Sequence, residues 1–182
     1  MNVFYFNWEW DVLYALQDIH NPILDVCMKL LSDLGNAGLF WILVSIVLMI
    51  IPKYRKMGIQ CAITMALAFI IGNLFFKNLL MRARPCQIDT AVQLLVKIPH
   101  DYSFPSGHTM NGFAASLSIL YNNKRLGIPA VVLATLIAIS RLYNFVHFPT
   151  DVIGGFIIAL VLSVLTDYLV KKHYEKKASG KK

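Results

Sequence analysis

Charge is scarce in this chain. Only 15% of its 182 residues are Asp, Glu, Lys or Arg, 57% are hydrophobic, and the mean hydropathy is +0.59. An ordinary soluble domain carries about a quarter charged residues, so this balance points to a membrane protein instead. Cysteine is equally thin. Cys27, Cys61 and Cys86 have no paired spacing and Cys61 sits inside an apolar run, which indicates neither a disulfide framework nor a zinc site. The basic start and small-residue cleavage site of a signal peptide are missing, because Asn2, Val3 and Phe4 lead directly to Glu9 and Asp11. Insertion is therefore expected to rely on the apolar segments themselves. There is no internal repeat and, apart from the lysine-rich end, no low-complexity segment. The net charge of +7 does not signal nucleic acid, since the lysines and arginines lie between apolar runs and at the C-terminus rather than along one helix face.

What the chain does have is long uncharged runs. Nothing is charged between Asp33 and Lys53, and further runs span 57–76, 102–123, 126–140 and 152–170, the last interrupted only by Asp167. Each approaches the ~20 residues that cross a hydrocarbon core, which predicts five crossings. Residues 9–34 carry Glu9, Asp11, Asp18, Asp25, Lys29 and Asp33 and read as surface elements. From Asn21 and Pro22 onward, Ile23, Leu24, Cys27, Met28, Leu31 and Leu34 recur at helical spacing against Asp25, Lys29, Ser32 and Asp33. That pattern suits a helix lying in the membrane interface; the alternative is a tilted additional span. The expected fold is thus all-α, a polytopic membrane helical bundle of five to six transmembrane helices with an N-terminal interfacial amphipathic helix. Residues 1–36 form the interfacial segment, 37–170 the transmembrane domain and 171–182 a basic tail, of which 178–182 resemble an appended sequence.

Eleven lysines and arginines fall on one side of these runs: Lys53, Arg55, Lys56, Lys124, Arg125, Lys171, Lys172, Lys176, Lys177, Lys181 and Lys182. Six fall on or near the other: Lys29, Lys77, Arg82, Arg84, Lys97 and Arg141. The positive-inside rule puts the first side in the cytoplasm, with the C-terminus inside and the long 77–105 connection outside.

Three stretches meet at that outer end. His147 and Asp151 have the spacing at which a carboxylate holds one imidazole nitrogen and leaves the other to attack or to transfer a proton. Arg141 adds a planar cationic fork for an anion. Lys77 and Arg84 stand seven residues apart, two helical turns, and can point from one face of a helix that Pro85 ends. Pro105-Ser106-Gly107-His108 puts a hydroxyl at a helix N-cap and a glycine in the first turn, where free N–H groups receive a phosphate. Taken singly, each piece has a plainer reading: cations snorkelling to lipid headgroups, a helix start, an ion pair fastening two helices. Arg82 and Lys97 read as solvated or headgroup-facing, and His100 as a loop histidine that could contact the headgroup.

Together, K-x6-R-P, P-S-G-H and S-R-x5-H-x3-D, in that order, closely resemble the type 2 phosphatidic acid phosphatase superfamily, which shares its helical-bundle site with vanadium haloperoxidases. The resemblance covers roughly residues 20–170. It implies that His147 is a nucleophile that becomes phosphorylated, that Asp151 orients it, and that His108 protonates the leaving oxygen. Lys77, Arg84, Ser106, Gly107 and Arg141 would hold the phosphoryl oxygens, with neither metal nor cofactor. The implied activity is a membrane lipid phosphatase or diphosphatase working at the outer leaflet on a phosphorylated lipid. Undecaprenyl diphosphate is the first candidate, and phosphatidylglycerol phosphate or phosphatidic acid are alternatives. The Ile98-Pro99-His100 run ahead of Ser103-Phe104-Pro105-Ser106 looks like the undecaprenyl-diphosphate branch, although Gly107 stands where that branch often has aspartate. Two competing readings share the scaffold: a lipid phosphotransferase, and a lipid-binding or transport protein that uses the basic pocket without chemistry.

Overall fold

A computed structural model describes residues 1–179; Lys181 and Lys182 of the basic tail lie outside the described residues. The chain is helical from α1 (Asn7–Asp18) and α2 (Pro22–Leu34) through α3 (Leu39–Ile50), α4 (Arg55–Ala68), α5 (Lys77–Leu80), α6 (Pro85–Ile88), α7 (Gly107–Asn122) and α8 (Lys124–Tyr143) to α9 (Pro149–Ser179). Between α4 and α5 the turns widen to a π-helix over Phe69–Phe76. Among the described residues the sheet-like pairing is a single isolated bridge, Asn2 to Arg82.

Three helices are long and apolar enough to cross a membrane: Pro52–Leu80, Lys124–Tyr143 and Pro149–Lys177. A fourth results if α2 and Asn36–Ile50 count as one span bent by 44°. The bend sits where Gly38 adopts a left-handed φ of 67°, a conformation glycine tolerates without steric cost. The expected five to six crossings therefore rest on three to four helices that meet the length and composition of a span. The shortfall lies in α7, whose 16 residues give only about 24 Å of helix, and in α3, whose 12 residues give only about 18 Å unless α2 extends them.

α7 is the central post, packed against α4, α8 and α9. Its small residues explain why. Ala114, Ala115, Ser116 and Ser118 are fully buried and let neighbouring backbones approach closely. Toward its C-terminal end Thr64 Oγ1 lies 3.0 Å from Ser118 Oγ and 2.6 Å from Thr166 Oγ1, tying three helices through hydroxyls. At the other end Gly155 of α9 sits where a Cβ would fall 2.9 Å from the Ser106 carbonyl oxygen. Any side chain there would push the start of α9 away from the start of α7, and with it Asp151 away from Ser106.

The N-terminal helices are mostly exposed, yet α1 also docks into the protein. Leu13 is fully buried and joins Cys86, Phe145, Val146 and Phe148 in one apolar cluster, with Trp10 packed against it. Glu9 is fully buried as well. The tail boundary at 171 is not marked by a break, since α9 continues unbroken to Ser179.

Candidate active site

The sequence reading places Lys77 and Arg84 on one helix face; the structure separates them. α5 ends at Leu80, Met81 takes a left-handed φ of 47°, and Arg84 is extended, as the residue before a proline prefers. The backbone between them pairs instead with Asn2, whose N–H donates to Met81 O at 2.8 Å and whose carbonyl accepts from Ala83 N at 2.9 Å. Both cations still reach one spot. Lys77 Nζ pairs with Asp101 Oδ2, and Arg84 Nη2 with Asp101 Oδ1 at 2.6 Å. Burial alone would push the Asp101 carboxyl up, but Lys77 and Arg84 together hold it well below the usual carboxylate range.

Every N–H of Arg84 is engaged. Nε donates to Asp101 O (2.9 Å), Nη1 to Val146 O (2.7 Å) and to His147 Nε2 (3.0 Å), and Nη2 to Asp101 Oδ1 and Tyr102 O (3.2 Å). A guanidinium can only donate. His147 Nε2 is therefore the unprotonated ring nitrogen, and its proton sits on Nδ1, 3.5 Å from both Asp151 Oδ2 and Ser103 Oγ. Those contacts are looser than a full hydrogen bond, as catalytic contacts often are before substrate arrives. Burial, then the charges of Arg84, Arg141 and Lys77, hold His147 well below the ordinary histidine range, so the ring is neutral.

Asp151 is fixed from four directions besides His147. Its Oδ2 accepts from Ser103 Oγ (2.5 Å) and Phe148 N (2.7 Å), its Oδ1 from Arg82 Nη1 (2.6 Å), and its carbonyl oxygen from Ser106 N (3.0 Å). Pro149 opens α9 and sets Asp151 in its first turn, where the helix dipole favours a negative charge.

The predicted residues converge on one cavity of about 670 Å³. Lys77, Arg84, Gly107, His108, Arg141 and His147 line it, as does Lys97, which is also exposed. His108 Nε2 lies 3.1 Å from Asn36 Oδ1. Arg141, buried at the end of α8, donates from Nη1 to Ser32 Oγ, while its Nε has no partner among the described residues. Ser106 lies behind the wall: its hydroxyl accepts from Thr109 N (3.5 Å) and Thr109 Oγ1 (3.0 Å) as the N-cap of α7. His100 is exposed and outside the lining.

With this geometry in place, a family model described as the PAP2 superfamily matches residues 58–175. This chain belongs to that superfamily. It is 31% identical over 161 residues to the undecaprenyl-diphosphatase BcrC of Bacillus subtilis, covering 86% of this chain and 81% of that one. It is 33% identical over 144 residues to an undecaprenyl-diphosphatase of Sulfolobus acidocaldarius, covering 79% and 69%. Among solved structures, the PAP2-type phosphatidylglycerolphosphate phosphatase of Bacillus subtilis superposes with a TM-score of 0.74 at 26% identity, over 90% of this chain and 85% of that one.

Several residues of this PAP2 site were not legible in the motifs. Asp101 sits between the two motif cations, Ser103 shares Asp151 with His147, and Asn36 and Ser32 arrive from the α2–α3 bend. Arg82, expected to face solvent or headgroups, is 1% exposed and pairs with both Asp151 and Glu9. The one available signal for Asp101 was its place as one of two acids, with Asp89, in the loop between the first two motifs.

Proposed function

We propose that this protein is a membrane lipid phosphatase, with undecaprenyl diphosphate as its substrate and a phosphohistidine as its intermediate. The observation that carries the reading is the neutral His147: its lone-pair nitrogen faces Arg84, its protonated nitrogen faces Asp151, and three motif cations ring the cavity around it. In the first step His147 Nε2 forms a bond to the terminal phosphorus as the bond to the bridging oxygen breaks. His108 gives that oxygen its proton, releasing the lipid monophosphate. Water then attacks the phosphohistidine with His108 accepting its proton, and inorganic phosphate leaves. Lys77, Arg84 and Arg141 stabilise the charge spread over the equatorial oxygens, with Gly107 letting the phosphate approach the start of α7 and Ser106 shaping that helix start. These cations and the N–H donors supply the positive field without a metal ion.

Two further observations favour a lipid diphosphate. Lys29 and Lys97 add two exposed cations to the lining, with room beside the first phosphate for a second. An apolar groove of about 490 Å³, lined by Ile42, Ile46, Met65, Phe69 and Ile70, meets the polar cavity at Ala37 and Asn111 and gives a hydrocarbon chain a path from it. The basic connections on the opposite side support a cavity at the outer leaflet of the cell membrane and a C-terminus in the cytoplasm, by the positive-inside rule.

The test is phosphate release by purified protein in detergent containing a metal chelator, from undecaprenyl diphosphate, phosphatidylglycerol phosphate and phosphatidic acid in parallel. The expected result is turnover of all three at different rates, with the highest kcat/KM for the diphosphate. Activity restored only by divalent metal would overturn the metal-free mechanism, and preference for a monoester would overturn the substrate.

A further inference from the structure

Glu9 and Arg82 form a buried pair behind the site that neither the motifs nor the comparisons account for. Arg82 occupies an unspecified position of K-x6-R-P, and Glu9 lies outside the family-matched residues 58–175. Arg82 lies with its guanidinium carbon 4.3 Å from the centre of the Phe148 ring and 5.0 Å from that of Phe4. Its Nη1 donates to Asp151 Oδ1 (2.6 Å) and Thr150 Oγ1 (2.7 Å), its Nη2 to Glu9 Oε2 (2.7 Å), and its Nε to Phe4 O (3.0 Å). Glu9 is held in turn: Oε2 accepts from Phe6 N (2.8 Å), and Oε1 from Thr150 N (3.1 Å) and Thr150 Oγ1 (2.6 Å).

A cation caught between two carboxylates and shielded from water divides its field between them. With Glu9 in place, Asp151 keeps more of its negative charge for the His147 Nδ1 proton, and Nε2 stays electron-rich. Without it, Arg82 leans wholly on Asp151. The other charges facing His147, those of Arg84, Arg141, Lys77 and His108, are positive or neutral, and Asp101 is spent on Lys77 and Arg84. Among the described residues Glu9 is thus the carboxylate besides Asp151 that pairs with Arg82, and it comes from the N-terminal helix rather than from any motif.

We infer that Glu9 and Arg82 are positioning residues for the proposed phosphoryl transfer, acting through Asp151 to orient His147 and maintain its basicity. The inference rests on the phosphohistidine reading, and its test separates the two. Orthovanadate takes a fifth ligand from an imidazole as phosphorus does in transit, whereas inorganic phosphate occupies the cations without bonding the ring. Binding of both anions is measured for the wild-type protein and for Glu9→Gln, which keeps the volume and removes the charge, alongside kcat and KM on the lipid diphosphate.

The expected outcome is vanadate binding weakened about tenfold, phosphate binding changed less than twofold, and kcat lowered with KM held. In the Asp151→Asn background, Glu9→Gln should then add little, because coupled residues are not additive. A parallel loss for both anions, or full additivity with Asp151→Asn, would reduce the pair to packing and overturn the inference. Wild-type protein that binds vanadate no more tightly than phosphate would overturn the phosphohistidine reading and the inference with it. Wild-type protein that binds vanadate tightly but leaves the lipid diphosphate intact would overturn the substrate alone. If Glu9→Gln fails to accumulate, Glu9→Asp retains the charge at shorter reach and should show the same split, smaller in size.

Discussion

Arg84 Nη1 donates to His147 Nε2 across 3.0 Å, so the guanidinium rests on the lone pair that attacks phosphorus in the proposed mechanism. Substrate must take that donor over. A phosphoryl oxygen beside Nε2 offers Arg84 a charged acceptor in place of a neutral one, and the nitrogen is uncovered as the hydrogen bond moves.

The pH profile should carry this contact. His147 is held below the ordinary histidine range by burial and by Arg84, Arg141 and Lys77. Protonated His147 cannot attack, so a lowered pKa keeps the active neutral form as pH falls through ~6.5. The acid limb of kcat/KM should lie below that value. Arg84→Ala removes one of the cations, so the limb should move to higher pH, with kcat/KM down at least ~100-fold from the lost charged hydrogen bonds. An unmoved limb would show that another group sets it.

Asp101 bridges the two cations of the first motif, its side chain 54% exposed. In the proposed mechanism it occupies the place of an incoming anion. Asp101→Asn should therefore strengthen inhibition by inorganic phosphate several-fold and lower KM for lipid substrates. Because the Asp101 carboxyl is held well below the usual range, wild-type competition persists across pH 5–8 and is lost only in stronger acid. Inhibition constants for phosphate, measured for both proteins across that range, check this. Weaker phosphate inhibition in Asp101→Asn would mean that the carboxylate organises the cations rather than competing for them.

His108 and Asp151 should separate by leaving group. p-Nitrophenolate departs without a proton, so His108→Ala should lose much less activity on p-nitrophenyl phosphate than on a lipid substrate. Asp151→Asn should lower both alike while leaving measurable turnover, and His147→Ala should abolish both. Equal losses for His108→Ala on the two substrates would contradict its role as the acid.

The three motifs were legible because each needs particular side chains at fixed spacing beside a helix end, and Ser106 and Pro149 announce those ends locally. The helical character was legible from uncharged runs. What escaped depends on long-range pairing. Nothing near Glu9 reveals that its partner is Arg82, and nothing near Arg82 reveals that Asn2 draws residues 81–83 out of the helix. The shared face expected for Lys77 and Arg84 failed for that reason: seven-residue spacing presumes a continuous helix, and Met81 breaks it. Counting spans by runs also gave α7 the same weight as the longer helices, when its 16 residues are fewer than a span needs by length and its small residues make it the post that those helices surround.

Orientation follows from an exposed site on the long connection. Gln93 is exposed, whereas Cys61 and Cys86 are buried, so Gln93→Cys in a Cys27→Ser background leaves one accessible thiol. An impermeant thiol reagent should label it in intact cells. Labelling only after the membrane is opened would invert the topology and place the cavity at the inner leaflet.

The Glu9 contacts also set a timetable for biosynthesis. Glu9 leaves the ribosome 73 residues before Arg82 and 141 residues before Thr150, intervals of about 4 to 15 s and about 7 to 30 s at ordinary translation speeds. Through those intervals its carboxylate lacks the partners that make burial tolerable, so α1 has to wait in water or among headgroups until α9 is in place. α1 then docks only after α9, and a nascent chain cannot display a finished site before α9 has been delivered.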